Sequence, residues 1–419
     1  MPLRLVHTSD WHLGHTLHDR ERDQEHHAFL EWLVHRAVAE RADAVLIAGD
    51  VFDSANPSAR AQAAYYGFLR RLRAALPAVA VVVIGGNHDS GHRLDAPRAL
   101  LDELGVHVVG AVPRAEAGAL DLARLVVPLR DASKTVAAWV VAMPFIRPQD
   151  LPAAALGSAA GVVQAVRALY DEALAHARAL RQPGQALIAM GHAWFEAAEA
   201  SAGSERKVQL GNEAGLPAAM FADDVDYVAL GHLHLAQRVG GREHVRYCGS
   251  PIPLALDERT YTHQVLSVEL GGGAPAIIQS HPIPRTVPFW RVPQERAAAS
   301  LIEVLAELRA LPPCAPDVAL CALPFLDVVV TDTVRSPNLR AQVDEALVGR
   351  GAHLARLWDA TPRTTCGLPA HLTKDSLDEV EPESIFLDFW QRERGAPPGD
   401  AVLSRFREVL DLARSGGPS

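Results

Sequence analysis

The chain has 419 residues, of which 49% are hydrophobic and 21% are charged. This length suggests roughly two or three domains, and the composition is that of a globular rather than a disordered protein. The formal net charge of −10 excludes a protein that holds nucleic acid by a uniformly positive surface. Binding of nucleic acid by a local basic patch remains compatible with this net charge, because the local charge matters more than the total. In addition, carboxylates that bind metal ions are counted as negative here although the ions neutralise them.

Targeting signals and cysteine pairs are not evident in the sequence. There is no run of about 18 apolar residues and no N-terminal apolar stretch that leads to a small-residue cleavage site. The four cysteines (Cys248, Cys314, Cys321 and Cys366) lack the paired spacing of a zinc knuckle and are typical of a reducing compartment. We therefore expect a cytoplasmic protein without a membrane segment.

Up to residue 270 the chain alternates short apolar runs with amphipathic segments. Apolar, β-branched runs of this length are typical of strands buried on both faces, and they occur at residues 3–7, 44–48, 79–84, 187–190 and 227–230. Apolar residues spaced by three and four predict helices at about 22–41 and 59–75. Strand, helix and strand in succession indicate an α/β fold, with its chemistry in loops at the carboxyl ends of strands.

Beyond residue 270 the pattern changes. The glycine-rich stretch 271–275 predicts a turn, and the prolines that follow, up to Pro293, indicate a linker. Helices are expected at about 296–309 and 338–349, and strands at 325–331 and 352–357, which together make a small α+β domain. Two amphipathic segments follow in the tail. The first is marked by Ile385, Phe386, Phe389 and Trp390, and the second by Leu403, Phe406, Leu410 and Ala413.

Residues of the types that can bind metal ions follow each of the five early strands. They are Asp10, His12, Asp50, Asn87, His88, His192, His232 and His234. Mixed oxygen and imidazole ligands suit Mn²⁺, Fe²⁺ or Zn²⁺ better than Mg²⁺. A single histidine near a strand end is more often an ordinary surface or core residue, but five such turns together favour a dinuclear metal centre. On a strand, residues i and i+2 project to one side, so each D-x-H or H-x-H pair is expected to offer both ligands to one place.

The motifs Asp10-x-His12, Gly49-Asp50, Gly86-Asn87-His88-Asp89, Gly191-His192 and Gly231-His232-x-His234 resemble, in order, those of the calcineurin-like metallophosphoesterases. The sequence is closer still to the SbcD family, the nuclease subunits of bacterial SbcC–SbcD complexes, through the stretch 245–254 and the C-terminal extension. The resemblance implies a four-layer αββα sandwich over residues 1–285. It further implies a small α+β capping domain that contacts DNA, at 286–372, and C-terminal helices that bind SbcC, at 373–419.

Carried over by motif position, the resemblance implies two metal ions, most often Mn²⁺ in this family. Asp10, His12, Asp50 and His234 would hold one ion, and Asp50, Asn87, His192 and His232 would hold the other, with Asp50 bridging. His88 would face the scissile phosphate and protonate the leaving 3′ oxygen or stabilise its charge. Asp89 would orient the His88 imidazole, although an aspartate at this position equally well closes the turn.

The implied function is a 3′→5′ exonuclease on double-stranded DNA and an endonuclease on single strands and hairpins. It would act in DNA repair, recombination and replication, in the cytoplasm at the nucleoid, as a homodimer bound to two copies of the ATPase SbcC. Arg335, Arg340 and Arg350 are candidate DNA contacts, though arginines on a small domain are more often ordinary solvated surface residues. Ile385, Phe389, Leu403, Phe406 and Leu410 are candidate contacts to SbcC, unless the tail packs on its own core.

Two other kinds of protein remain as alternatives. A small-molecule phosphodiesterase or phosphatase would share the metal motifs but has no need of the C-terminal extension. A DNA-end-binding scaffold with a vestigial metal site is disfavoured because every ligand position is filled.

Overall fold

The computed structural model describes residues 2–116, 118–131, 133–196, 198, 215–271, 273–315, 318–333, 336, 338–361, 383–384, 386–387, 390–391 and 397–415. The chain forms two compact units: one comprises Met1–Val329 and Asn338–Trp358, and the other comprises Val330–Pro337 and Asp359–Ser419. Within the described residues, none of the helices combines the length and apolarity required to cross a bilayer.

The described strands are β1 (Leu3–Thr8), β2 (Thr16–Leu17), β3 (Arg20–Glu21), β4 (Ala44–Ala48), β5 (Ala80–Ile84), β6 (Val106–Val109), β7 (Val126–Arg130), β8 (Val136–Ala142), β9 (Ala186–His192), β10 (Tyr227–Gly231), β11 (Gln237–Val239), β12 (Arg242–Tyr247), β13 (Gln264–Gly271), β14 (Ala274–Pro282), β15 (Phe289–Val292), β16 (Phe325–Val330) and β17 (His353–Asp359). The described α-helices are α1 (Asp23–Ala39), α2 (Ala59–Ala75), α3 (Gly91–Asp95), α4 (Arg98–Glu103), α5 (Leu122–Leu125), α6 (Ala159–Leu180), α7 (Leu301–Ala310), α8 (Leu339–Ala346) and α9 (Asp400–Ser415).

Two six-stranded sheets form the body of the first unit. Their strand orders are β14-β13-β1-β4-β5-β6 and β11-β12-β10-β9-β8-β7. In the first sheet β1, β4, β5 and β6 are parallel, and in the second β8, β9, β10 and β12 are parallel. The carboxyl ends of parallel neighbours lie at one edge of a sheet, so each sheet gathers the loops of several strands at that edge.

The side chains of the central strands explain why the sheets stack. Alternate residues of a strand face opposite sides of its sheet. Leu5 of β1 and Leu46 of β4 lie in the apolar cluster shared with the second sheet and α6. Val45 and Ile47 of β4 lie instead in the cluster formed with α1 and α2. The resulting order of layers is helices, sheet, sheet and helix, which confirms the α/β sandwich predicted from the sequence.

Strand β14 is a correction to the linker predicted after residue 270. Residues 274–282 form a nine-residue strand that pairs antiparallel with β13, despite Pro275 and Pro282. Its position explains the tolerance, because β14 is the outermost strand of the sheet and proline, which lacks an N–H donor, is accepted on an edge.

A small module (residues 286–329 and 338–358) follows, with the three-stranded sheet β15-β16-β17 and helices α7 and α8. Helix α7 begins at Leu301, later than residue 296, where the apolar spacing predicts its start. Ser300 is its N-cap: the Ser300 hydroxyl accepts from the Glu303 N–H, and the Glu303 carboxylate accepts from the Ser300 N–H. This reciprocal capping box fixes the start of the helix at Leu301.

Two arginines, Arg20 in the β2–β3 hairpin and Arg22 just after it, attach this module to the first domain, which contains the two six-stranded sheets. The Arg20 guanidinium donates to the carbonyl oxygen of Leu323 and lies 4.3 Å from the ring centroid of Phe325. The buried Arg22 is ion-paired with Glu25 and lies 5.1 Å from the same ring centroid. Arg22 is ion-paired, Arg20 is bonded to carbonyl oxygens, and both lie over an aromatic ring, so they join the two parts at low desolvation cost.

Candidate metal centre

The eight predicted residues converge at the carboxyl ends of β1, β4 and β5 of the first sheet and of β9 and β10 of the second. Three groups of side chains have ligand atoms within 4.8 Å of one another: Asp10, His12 and His234; His12, Asp50 and His88; Asp10, Asp50 and His192. Asn87 joins them, because its Oδ1 lies 3.0 Å from both His192 Nε2 and His232 Nδ1. Both sheets therefore contribute to one cluster.

The backbone at this cluster is unusual. Asp10, His12 and Asp50 have φ of 54°, 47° and 47°, and His232 has φ of 103°. L-residues other than glycine rarely adopt this left-handed region, and it concentrates at functional sites where surrounding structure enforces it. Asp10 and His12 therefore lie on a turn rather than on a strand. Their ligand atoms still reach one place, as predicted, but the turn brings them there and not the i, i+2 projection of a strand.

Hydrogen bonds and aromatic packing hold the turn after β1 in place. Asp10 N–H donates to the Gly49 carbonyl oxygen, and His12 N–H donates to that of Asp50, each at 3.0 Å. Between them the Trp11 indole is fully buried, donates to the Thr8 hydroxyl and packs edge-on against rings of α1 and α2. The turn is therefore anchored both to the neighbouring loop and to the helix layer.

Two glycines are required by close approach rather than by flexibility alone. A Cβ at Gly86 would overlap the Asp50 carboxylate, and a Cβ at Gly49 would overlap the His192 imidazole. Gly49 in addition has φ of 92°. The glycines that precede the ligands in sequence thus make room for the ligands of neighbouring strands.

Asp50 occupies the centre of the cluster. Its Oδ2 lies 3.2 Å from His192 Nε2 and 3.5 Å from His12 Nε2, and its Oδ1 accepts from the His88 N–H at 2.8 Å. Burial alone would raise the pKa of Asp50, but the charge and hydrogen bond of His192 lower it below its ordinary value. Conversely, burial opposes the charge on His192, yet Asp50 raises the pKa of His192 to about 9.

The same atoms fit a pair of cations. Bonds of ~2.1 Å to a six-coordinate divalent ion place neighbouring ligand atoms about 3.0 Å apart, which is close to the 3.0 and 3.2 Å that separate His192 Nε2 from Asn87 Oδ1 and Asp50 Oδ2. His12 Nε2 is buried and has no hydrogen-bond partner within the described part of the chain. A buried lone pair of this kind is the donor that a metal ion would use.

Burial is the main cause of the pKa shifts of Asp10, His12 and His232. Burial raises the pKa of Asp10 and lowers the pKa of His12. It also lowers the pKa of His232 to about 3, helped by the nearby charge of His192. Unlike His192, His12 and His232 are therefore held as neutral imidazoles, which are the forms that bind metal ions.

The hydrogen-bond partner of the His88 imidazole is not the predicted Asp89. Its Nδ1 donates to the carbonyl oxygen of Asp53 at 2.9 Å. The Asp89 carboxylate instead accepts from the backbone N–H groups of Gly86, Val51 and Phe52 at 2.9–3.1 Å, and burial raises the pKa of Asp89 to about 6. An orienting role of Asp89 on the imidazole is therefore wrong for this structure: Asp89 closes the turn, the other role weighed from sequence.

Two carboxylates behind the cluster were missed by the sequence reasoning. The Asp53 carboxylate lies 3.2 Å from Nδ1 of His12, and Glu258 Oε1 lies 2.9 Å from Nδ1 of His234. Asp53 ends the strand-and-turn motif 48–53, where its proximity to Asp50 was a usable signal. Glu258 lies in the 3-10 helix Leu256–Thr260, far along the chain from His234, and no sequence pattern pointed to it.

The candidate DNA contacts have structural partners. Arg340 forms an i, i+4 ion pair with Asp344 at 2.9 Å, and Arg350 donates to the Leu311 carbonyl oxygen at 3.0 Å. Arg335 lies outside the described residues. The guanidinium of Arg350 is thus already used to close the module, whereas that of Arg340 is exposed and paired only on the surface.

In the second unit, the two tail segments contact each other. The Phe386 ring stacks on that of Phe406 with centroids 4.1 Å apart, and Arg407 pairs with Glu383. Leu403, Phe406 and Leu410 of α9 remain half-buried. Ile385 and Phe389 lie outside the described residues.

Comparison with known proteins places the chain among its relatives. Residues 3–236 match the calcineurin-like phosphoesterase family, and residues 285–394 match a family described as type 5 capsule protein repressor C-terminal domain. The SbcD subunit of the SbcCD nuclease of Rhodobacter capsulatus is 40% identical over 389 residues, which cover 92% of this chain and 93% of that protein. The chain belongs to the SbcD family.

Other members of the SbcD family are more distant. Those of Escherichia coli K12 and Bacillus subtilis are 36% and 32% identical, over 68% and 66% of this chain and 70% and 68% of their own lengths. The family and the phosphoesterase fold predicted from the five motifs are confirmed. As a member of the SbcD family, the chain is a phosphodiester hydrolase of the nuclease type.

Proposed function

We propose that this chain is a Mn²⁺-dependent DNA nuclease that processes DNA ends and hairpins together with the ATPase SbcC. Support comes first from the position of Asp50, whose Oδ2 lies 3.2 Å from His192 Nε2 and 3.5 Å from His12 Nε2, and so faces one histidine of each proposed ligand set. A bridging carboxylate between two sets of nitrogen and oxygen donors is the arrangement that a dinuclear hydrolase requires.

The proposed ligand sets are those that the family resemblance implies, and the contacts of Asp50 support them. Asp10, His12, Asp50 and His234 would hold one cation, and Asp50, Asn87, His192 and His232 would hold the other. When bound, such a pair supplies an activated water at neutral pH and neutralises the negative oxygens of a phosphodiester. The mixed donors suit Mn²⁺. The protein contributes the rigid spacing, through the strained turns and the close-packed glycines beneath them.

His88 would act on the leaving group. Its imidazole is fixed through Nδ1 on the Asp53 carbonyl oxygen, so Nε2 is the nitrogen left to meet a substrate. The ring centroid lies 4.7 Å from that of His12, beside the cluster rather than inside either proposed ligand set. From there His88 would donate a proton to the departing 3′ oxygen or stabilise its charge.

The relatives are named as one subunit of the SbcCD nuclease, which supports the existence of a partner subunit. We propose a heterotetramer with two copies of each subunit. In this complex the module contacts DNA, and the C-terminal segment 373–419, which includes α9, binds SbcC. Arg335, Arg340 and Arg350 remain the proposed DNA contacts, with Arg340 the most accessible of those described. We further propose that the complex acts in the cytoplasm at the nucleoid, in repair, recombination and replication.

Asp50→Asn tests the nuclease. Purified full-length chain is incubated with duplex DNA, hairpin DNA and a phosphodiester dye, each with Mn²⁺, Mg²⁺ or chelator. We expect Mn²⁺-dependent cleavage of DNA by the wild type, loss of it in Asp50→Asn, and normal activity in the matched control Asp43→Asn at the opposite end of the sheet. Full nuclease activity of Asp50→Asn would refute the proposed mechanism, and hydrolysis of the dye without DNA cleavage would favour a small-molecule phosphodiesterase.

A deletion of residues 376–419 tests whether the C-terminal segment binds SbcC. We expect the shortened chain to lose co-purification with SbcC but to keep weak metal-dependent cleavage of hairpin DNA. Continued co-purification would show that the tail is not the binding segment.

A further inference from the structure

The histidines of the first proposed ligand set, Asp10, His12, Asp50 and His234, each have a carboxylate behind them. Asp53 Oδ1 lies 3.2 Å from His12 Nδ1, and Glu258 Oε1 lies 2.9 Å from His234 Nδ1. An ionised carboxylate can only accept a hydrogen bond, so each Nδ1 is the protonated nitrogen and each Nε2 carries the lone pair. The two carboxylates thereby select the tautomer in which both rings can bind a cation through Nε2.

Asp53 and Glu258 belong to one hydrogen-bonded support. Asp53 also accepts from His15 Nδ1 at 2.9 Å, and His15 Nε2 lies 3.1 Å from the Leu254 carbonyl oxygen. The N–H of the same residue, Leu254, donates to Glu258 Oε2 at 2.8 Å. The backbone of Leu254 thus connects the two carboxylates, and the rings of His12 and His234 are held by a single rigid network.

Several donors hold each carboxylate of this support. Asp53 Oδ1 contacts the Nδ1 atoms of both His12 and His15. Glu258 is fully buried; its Oε2 accepts from the Leu254 N–H, and its Oε1 faces His234 Nδ1. Two carboxylates therefore stand directly behind the histidines of the first ligand set.

The second ligand set, Asp50, Asn87, His192 and His232, has a different environment. His192 Nδ1 donates to the carbonyl oxygen of Ala48 at 2.8 Å, a neutral acceptor. His232 Nδ1 faces Asn87 Oδ1, another member of the set, at 3.0 Å. Asp10 lies close to His192 and accepts from the His232 N–H. Within the described residues, however, no carboxylate from outside the two ligand sets accepts from Nδ1 of His192 or His232 as Asp53 and Glu258 do from His12 and His234.

We propose that Asp53 and Glu258 are positioning residues that make the first set the tighter of the two metal sites, so that the cations load in order. This inference rests on the proposed dinuclear centre. A carboxylate that accepts from a ligating histidine fixes the ring and raises its basicity, and its loss weakens metal binding by about 10- to 100-fold. The first cation occupies the Asp10, His12, Asp50 and His234 set, and the second joins at higher metal concentration.

The test is a Mn²⁺ titration of the full-length chain without DNA, followed by calorimetry and by the electron paramagnetic resonance signal of free Mn²⁺. We expect two steps of different affinity in the wild type. Asp53→Asn and Glu258→Gln weaken the tighter step by about 10- to 100-fold and leave the weaker one in place. Asp257→Asn, a neighbour of Glu258 that pairs with Arg356, is the matched control and leaves both steps unchanged.

The possible failures are distinguishable. If the wild type binds no Mn²⁺, the proposed dinuclear centre itself fails. If it binds in two steps that neither variant alters, or if each variant weakens both steps equally, the positioning role is overturned while the nuclease proposal stands. Thermal melting in chelator verifies that each variant is folded. Because Glu258 is buried and its variant is the more disruptive, the partly exposed Asp53 decides the matter if Glu258→Gln does not fold.

Discussion

Nδ1 of His88 donates a hydrogen bond to the backbone carbonyl oxygen of Asp53, 2.9 Å away. A backbone acceptor cannot be removed by changing the side chain, so the orientation of this imidazole is built into the loop after β4. The same loop holds Asp50 three residues earlier. The position of the proposed proton donor and that of the proposed bridging ligand are therefore set by one turn.

Replacing His88 by glutamine should separate chemistry from metal binding. Glutamine keeps the size and polarity of the side chain but cannot transfer a proton, so we expect Mn²⁺-dependent hairpin cleavage to fall by about 10²- to 10⁴-fold. Mn²⁺ affinity should be unchanged, because His88 lies outside both proposed ligand sets. The exposed helix residue His27, changed to glutamine, is the control. Cleavage at the wild-type rate would exclude His88 from catalysis.

Gly86→Ala should damage the centre without touching a ligand. The added Cβ would overlap the Asp50 carboxylate, so Asp50 must move and we expect both Mn²⁺ steps to weaken. Gly67→Ala in α2 is the matched control: its Cβ meets only the end of the Arg71 side chain at 3.4 Å. There alanine should be neutral or stabilise the protein by about 0.5–1 kcal/mol. Calorimetric titration and thermal melting distinguish the two outcomes, and unchanged Mn²⁺ binding in Gly86→Ala would contradict the prediction.

Metal affinity should rise with pH. The pKa of His192 is raised to about 9, so below that pH a cation must displace a proton from Nε2. We expect Mn²⁺ affinity to increase by about tenfold per pH unit between pH 6.5 and 8 and to level off above 9. Titration calorimetry in buffers of different ionisation enthalpy measures the released proton. Affinity independent of pH over this range would show that His192 is not a ligand.

The same ionisation bears on the stability of the metal-free protein. Because the folded pKa of His192 lies above its unfolded value, the ion pair with Asp50 stabilises the fold fully below about pH 6.5 and is lost as the pH rises through 9. Chelator-treated wild type should therefore melt at a lower temperature at pH 9 than at pH 6.5, by a margin that shrinks in His192→Gln. An equal margin in the variant would assign the effect to other groups.

Glu25→Ala should be strongly destabilising. Glu25 is the ion-pair partner of the fully buried Arg22, which stands between the first domain and the aromatic residues of the module. Its removal leaves a buried charge uncompensated, and we expect a loss of about 3–5 kcal/mol in the free energy of unfolding. Glu31→Ala on the exposed face of α1 should change it by less than about 0.5 kcal/mol. Urea unfolding of both variants checks the difference.

The parts of the site that were predictable are those with short local patterns. A strand end followed by Gly49 and Asp50, or by Gly231 and His232, identifies a buried run and a ligand within six or seven residues. The two-sheet sandwich and the small module followed from apolar runs of the same kind. Helix boundaries were less secure, because a capping residue such as Ser300 outweighs the apolar spacing on either side of it.

What sequence could not supply depends on contacts between distant segments. The partner of the His88 imidazole is a backbone carbonyl, which every residue possesses, so no residue type marks it. Glu258 reaches His234 from a 3-10 turn after the second sheet is complete, and only the folded chain shows this contact. Strand β14 was hidden by its prolines, which are tolerated only because the strand lies at an edge.

Each proposed ligand set takes side chains from both sheets: Asp10, His12, Asp50 and Asn87 follow strands of the first, and His192, His232 and His234 follow strands of the second. Neither sheet alone supplies a complete proposed set. The sets would therefore be completed only when the two sheets pack together, and bound cations would then cross-link the sheets. A chain that lacks the second sheet is expected to have no complete centre and little hydrolase activity.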